Sequence, residues 1–248
     1  MLSTLSKYSN KDSVFILGSG YSINNISDKC WDKMQNHVSI AFNWFCFHDF
    51  EPSIYIAREQ ANIKKRQNKK ETVSSFIKNI KKYKKTSMIV SDISRHSPHA
   101  YLYKNNSHVQ SLNPDVLKDI KVKSQLDSKQ LKARLMKNAF TSNECFHGDK
   151  KTACTLVNAL HVAMSLNPKN IILLGVDLND SRYFWMSKKE TRHTVKKKGQ
   201  TYQSKHATYK KAIHLVRCAN ETKINILSGS KNSLLNQTIP YRKLESLI

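Results

Sequence analysis

The stretch 13–22, SVFILGSGYS, runs an apolar segment straight into a turn built from two glycines and three small or hydroxyl-bearing residues. A short buried strand that stops on such a turn places backbone N–H groups and hydroxyls at its carboxyl end. Further short apolar runs at 38–42, 54–57, 88–90, 171–174 and 224–227 lack the alternation of a half-exposed sheet. They read as strands buried on both faces, hence a parallel sheet. Helical stretches lie between them, so the order predicts an α/β, doubly wound sheet with its ligand outside the carboxyl ends of the strands.

The helices are expected at 28–35, capped by Ser27 and Asp28 with Trp31 and Met34 inward, and at 71–83. In the second, Val73, Phe76, Ile77 and Ile80 form one stripe. Segment 124–138 has helical periodicity. TACTLVNALHVAMSL at 152–166 is a nearly all-apolar, buried helix, in which His161 reads as a core residue, and another helix covers 206–219. Segment 91–113 has little pattern, and 179–205 is polar, basic and loop-like. These two regions, about 91–140 and 179–205, are expected to form a lid or acceptor-side insertions on a single domain spanning 1–248.

The first turn resembles a dinucleotide fingerprint and departs from it. The third glycine position holds Ile23, and the strand 38–42 ends on Phe42 and Asn43 rather than an acid. Ser22 is suited either to a phosphate or to capping the next turn. Asn43, at a strand end, can read a base edge or sugar hydroxyl, or close an Asx turn. Asp177 follows the strand 171–174 and Gly175, as loop anchor or ligand contact. No D-x-D pair and no zinc-like spacing occurs, so no metal site is expected. His206 starts a helix after a basic loop, where it suits either a helix cap or a general base, a helix N-terminus favouring the neutral imidazole that a base requires.

Four runs in register, ILGSGYSI (16–23), AFNWFCFHDF (41–50), TACTLVNALHVAMSLNPKNIILLGVDL (152–178) and HATYKKAIHLVRCANETKINILSGSKNSLL (206–235), resemble one family. It is the small bacterial sialyltransferases of glycosyltransferase family 42, with the related lipopolysaccharide transferases of 3-deoxy-manno-octulosonic acid (Kdo). The resemblance implies a single Rossmann-like domain with a small lid subdomain, a GT-A-like variant. It also implies inverting, metal-independent transfer of an ulosonic acid from its CMP ester, with no other cofactor.

By the same resemblance, Gly18, Ser19, Gly20, Ser22, Asn43, Thr152, Thr155, Gly175, Asp177 and Ser230 bind the donor, and His206 is the general base. Family tyrosines that steady the departing phosphate correspond to Asn179 and Tyr183, with Arg182 beside the latter. The partners implied are a CMP-sugar and a lipopolysaccharide, lipooligosaccharide or capsular glycan acceptor. The departures at Asn179 and Thr152 weaken sialic acid in particular more than a CMP-ulosonate in general.

Charge enters here. The chain has 42 Lys plus Arg against 18 Asp plus Glu, a net of +24. Ten bases and one acid lie between 64 and 85, and nine bases and one acid between 188 and 211. Such a field suits anionic glycan, an anionic membrane surface or nucleic acid, and each run reads equally as a solvated, lysine-rich face. No recognition helix, paired aromatic sheet motif or zinc module supports a specific nucleic-acid partner. A nucleotide pyrophosphokinase-like enzyme on a similar sheet is the other alternative. The five cysteines, 30, 46, 145, 154 and 218, show no C-x-x-C and read as reduced thiols. The start lacks the apolar core of a signal peptide, and no run is long enough to span a membrane. A cytoplasmic protein is expected, with the inner membrane face as a peripheral site.

Overall fold

The computed structural model describes residues 7–58, 73–91, 155–180, 182–187, 213 and 224–248. Six strands form one sheet: β1 (Ser13–Leu17), β2 (Val38–Phe42), β3 (Ile54–Arg58), β4 (Ser87–Ser91), β5 (Asn170–Leu174) and β6 (Asn225–Ser228). Their order is β4-β3-β2-β1-β5-β6, and every pairing is parallel. The chain therefore builds outward from β1 through β4, then returns to β1's other side. The two directions part between β1 and β5, where Leu17 lies opposite Leu174.

Successive strand residues point to opposite faces, and both faces are buried. On one, Val14, Ile16, Ile40, Ile54, Ile171 and Leu173 pack with α3 (Thr155–Ser165), through Leu156, Ala159, Leu160 and Ala163. On the other, Phe15, Leu17, Tyr55, Ile172 and Leu174 meet α1 (Asp28–Met34) and α2 (Val73–Ile80). Trp31 and Met34 of α1 are buried as the spacing predicts. Phe76 of α2 is buried too and faces Trp44 edge-on at 5.8 Å. It is thus committed to the core rather than to a bilayer. Each such large side chain contributes about 1.5–3 kcal/mol on burial.

The helix expected over 71–83 is Val73–Ile80 and stops short of Tyr83, and that expected over 152–166 is Thr155–Ser165; residues 71, 72 and 152–154 lie outside the described residues. Ser27 occupies the N-cap of α1 but makes no side-chain capping bond, so the expected cap is positional only. The last turn of α3 tightens, with Leu166 N bonding Ala163 O at 3.1 Å. Asn167 then takes a left-handed φ of 53° before Pro168, a sequence that cannot extend a helix. The helices expected at 124–138 and 206–219 lie outside the described residues, apart from Ile213, which is helical and buried. So do Cys145, Cys154 and Cys218, whereas Cys30 and Cys46 are buried free thiols.

The orientation of α3 matters for the site. Its C-terminal end touches the chain entering β1, since Asn10 N donates to Leu166 O at 2.8 Å and Asn167 Nδ2 to Asn10 Oδ1 at 3.1 Å. Eleven helical residues span about 16 Å, as do five strand residues. Thr155 at the other end of α3 therefore stands level with the carboxyl edge of the sheet. Among the described residues no helix is long and apolar enough to cross a membrane.

Candidate functional site

Three strand-end turns meet where the sheet's two directions part. After β1, Gly18 N donates to Leu174 O at 2.7 Å and Gly20 N to Gly175 O at 2.8 Å, so the first turn is laced to the turn after β5. A Cβ on Gly18 would stand 2.3 Å from Gly175 O, and one on Gly20 2.5 Å from Asp177 Oδ2. Gly175 has a φ of +64° and the reciprocal crowding, its Cβ position lying 2.6 Å from Gly18 O. The glycines are thus required by the approach of two backbones to each other. Their N–H groups at 18 and 20 point into that junction.

Asp177 ties the junction together. It is 5% exposed, and its Oδ2 accepts from Ser22 N at 2.9 Å. The Ser22 hydroxyl donates to Oδ1, which spends its one hydrogen. The Ser22–Ser230 contact, Oγ to Oγ at 3.0 Å, must then have Ser230 as donor. Ser230 Oγ accepts in turn from Gly175 N at 3.1 Å. A directional chain results, from the Gly175 amide through Ser230 and Ser22 to the carboxylate, in which each bond polarises the next. Ser230 is held by Ser228 Oγ, 3.3 Å from its N–H, and by Asn236 Nδ2, 3.1 Å from its carbonyl. Of the two roles open to Ser22, phosphate donor or cap, its hydroxyl takes a third, as donor to Asp177.

Within the stretch expected to be a loop, a strap over residues 182–187 closes against the first turn. Tyr183 forms an isolated antiparallel bridge with Gly20. Phe184 N donates to Ser19 O at 3.2 Å, and Asn24 Nδ2 to Phe184 O at 2.8 Å. Arg182 lies 3.8 Å above the Tyr21 ring, with Nε 2.9 Å and Nη2 2.5 Å from the two oxygens of Asp180. That carboxylate raises the guanidinium's pKa and already balances its charge. The signal for the strap is RYFWM, five large side chains in succession within a polar run. Its aromatic rings join those after β2: Phe184 faces His48 at 5.5 Å and Phe45 at 6.2 Å, and Trp185 faces Phe47 at 4.7 Å.

The remaining expected residues are placed as follows. Ser19 is buried, 3.5 Å from Phe42 O, which brings it to the end of β2. Asn43 there adopts a left-handed φ of 56°, and its carbonyl accepts from the Tyr55 hydroxyl. Thr155 is buried at the carboxyl-edge end of α3. Asn179 is exposed, and its amide donates to Asn232 O. Thr152, His206 and the side chain of His161 lie outside the described residues. Gly18, Ser19, Gly20, Ser22, Gly175, Asp177, Arg182, Tyr183 and Ser230 therefore converge on one junction, with Asn43 one strand away.

Burial sets the proton states nearby. His48 accepts from Phe50 N at 3.0 Å through Nδ1, and its pKa is lowered by desolvation. Cys46 is pushed up to about 12 by burial, and Tyr55 is raised for the same reason. These three are neutral packing groups at physiological pH. Among the described residues no group of three or more His, Cys, Asp or Glu side chains could hold a metal ion.

No family model matches the sequence, and no curated protein matches it. Solved structures do. The MAf glycosyltransferase from Magnetospirillum magneticum AMB-1 superposes over 98% of this chain with a TM-score of 0.54 at 14% identity. The chain spans 35% of that protein's length. The sialyltransferase CstII from Campylobacter jejuni, in complex with cytidine-5′-monophosphate, aligns over 93% of this chain and 84% of its own at 16% identity and a TM-score of 0.43. The monofunctional α-2,3-sialyltransferase Cst-I from the same organism aligns over 94% and 81% at 15% identity and a TM-score of 0.46. At 14% identity the likeness to the Magnetospirillum protein is one of fold alone.

Proposed function

We propose that this chain is an inverting, metal-independent glycosyltransferase that moves a 2-keto-3-deoxy sugar acid, Kdo or a sialic acid-like ulosonate, from its CMP ester to an acceptor hydroxyl. The acceptor is a lipopolysaccharide, lipooligosaccharide or capsular glycan, met in the cytoplasm at the inner membrane face. The observation that carries this reading is the junction of three strand-end turns at the crossover between β1 and β5, the place where open parallel sheets take nucleotides. Residues matched to the CMP-ulosonate transferases by sequence gather there. The fold shared with a glycosyltransferase supports the same class.

In this reading the acceptor oxygen attacks the anomeric carbon on the face opposite the phosphate, and the carbon–oxygen bond to phosphate breaks. The electron pair leaves with CMP, and the acceptor's proton passes to the His206 imidazole. One phosphate carries the developing charge, and a hydrogen bond from the Tyr183 phenol meets it. Arg182 acts at one remove, because Asp180 already engages it, and anchors the strap that carries Tyr183. Gly18, Gly20, Gly175, Ser22, Asp177 and Ser230 hold the frame on which the cytidylate rests. Ser19, Asn43, Thr152 and Thr155 line its approach, and Asn179 steadies the turn through Asn232.

The test is a panel of CMP-Kdo, CMP-sialic acid, UDP-sugars and NAD, followed by release of the nucleotide. Turnover of a CMP-ulosonate that survives EDTA is expected. His206→Ala should lower it at least about 10²-fold with CMP binding kept. Loss in EDTA restored by Mg²⁺ or Mn²⁺, ATP consumption, or tight DNA or RNA binding indifferent to CMP would each refute the assignment.

A further inference from the structure

Tyr183 is bridged to Gly20 through its backbone, but that bridge does not fix where the phenol points. The ring can turn about two side-chain bonds, and a donor to a departing phosphate must be in place before charge develops. The neighbouring indole constrains the plane of the ring. Trp185 lies flat on the Tyr183 ring, centroids 4.3 Å apart and planes 12° apart. It is itself held edge-on from two sides, by Phe184 at 5.0 Å and 90° and by Phe47 at 4.7 Å and 70°. Phe47 belongs to the turn after β2, and its ring stacks on buried Trp44 at 5.6 Å. The orientation of the indole is therefore referred to the sheet and not to the strap alone.

A second observation sets Trp185 apart from ordinary packing. Its Nε1 is buried and has no hydrogen-bond partner among the described residues. A buried indole N–H ordinarily finds an acceptor. Among the described residues the N–H is left without one while the ring lies flat against Tyr183.

We propose that Trp185 is a positioning residue, which fixes the plane and reach of the Tyr183 phenol and through it the stabilisation of the departing phosphate. The inference rests on the reading of Tyr183 as the phosphate's partner. It goes beyond that reading by naming what aims the phenol and where the aim is anchored: indole, Phe47, Trp44 and the end of β2.

The experiment combines kinetics with a probe of the ring itself. CMP release from CMP-Kdo and from CMP-sialic acid is measured for Trp185→Leu and Trp185→Phe, each alone and in a Tyr183→Phe background. In parallel, 3-fluorotyrosine at position 183 reports the ring by ¹⁹F NMR. Trp185→Leu should lower kcat about tenfold or more with little change in KM. Trp185→Phe, which keeps a flat ring, should recover most of the rate. In the Tyr183→Phe background, Trp185→Leu should change kcat by less than about twofold, because the two act as a unit. The ¹⁹F line should broaden or shift in Trp185→Leu and stay near the wild-type position in Trp185→Phe. An unchanged ¹⁹F line in Trp185→Leu, or equal losses in both backgrounds, would overturn the positioning role. Full activity of Tyr183→Phe would instead remove the phenol from the reaction, and the ¹⁹F line would still report whether Trp185 sets the ring.

Discussion

Removing the Ser230 hydroxyl leaves the Gly175 N–H without the acceptor it has at 3.1 Å and deprives Ser22 of a donor. An orphaned buried donor costs about 1–3 kcal/mol, so Ser230→Ala should lower unfolding stability in urea by that amount while the slope stays constant. His48 makes a pH prediction. Burial lowers its pKa below the ordinary histidine value of about 6.5, so on acidification the unfolded chain takes up the proton first. Stability contributed by neutral His48 is full above about pH 6.5 and is lost as pH falls toward the depressed folded value. Protonation would also abolish the acceptor at Nδ1 that Phe50 N uses. His48→Gln should therefore flatten the fall in unfolding free energy between pH 7 and pH 5; an unaltered slope would assign the acid sensitivity elsewhere.

Elements were legible where one physical rule decided them. The strand runs were visible because both faces are buried, yet three of the strands begin a residue away from their apolar limits. Asn170 and Asn225 show why: they pair across β5 and β6, with Asn225 Nδ2 3.2 Å from Asn170 Oδ1, a contact that hydropathy does not reveal. The glycine turn was legible as a turn. Its partner was not, because Gly175 and Asp177 approach it from more than 150 residues away. The strap's docking is illegible for a related reason, since RYFWM owes its place to rings after β2 rather than to any period of its own. Phe184→Ala removes the contacts with Phe45 and His48 but no strand pairing. Amide exchange across 182–187 should quicken by about tenfold or more while β1 and β5 stay protected. Equal loosening of sheet and strap would show that they open as one unit.

At the scale of the whole molecule, the net charge of +24 is the dominant long-range property, and the runs 64–85 and 188–211 carry +9 and +8 of it. We expect binding to vesicles containing anionic lipid at low salt, weakening steeply between about 50 and 200 mM salt. Vesicles of neutral lipid should not compete, and binding that ignores salt would assign the association to apolar contact.

The knot of Ser22, Asp177 and Ser230 joins side chains 155 and 208 positions apart in the sequence. During synthesis on the ribosome, β1 is made early and then waits for partners that emerge more than 150 residues afterwards. Contacts so distant in sequence close slowly, and the last comes only when residue 230 has left the exit tunnel. The nascent chain therefore lacks this knot until its most distant member has emerged, and the two turns and the carboxylate close on one another late.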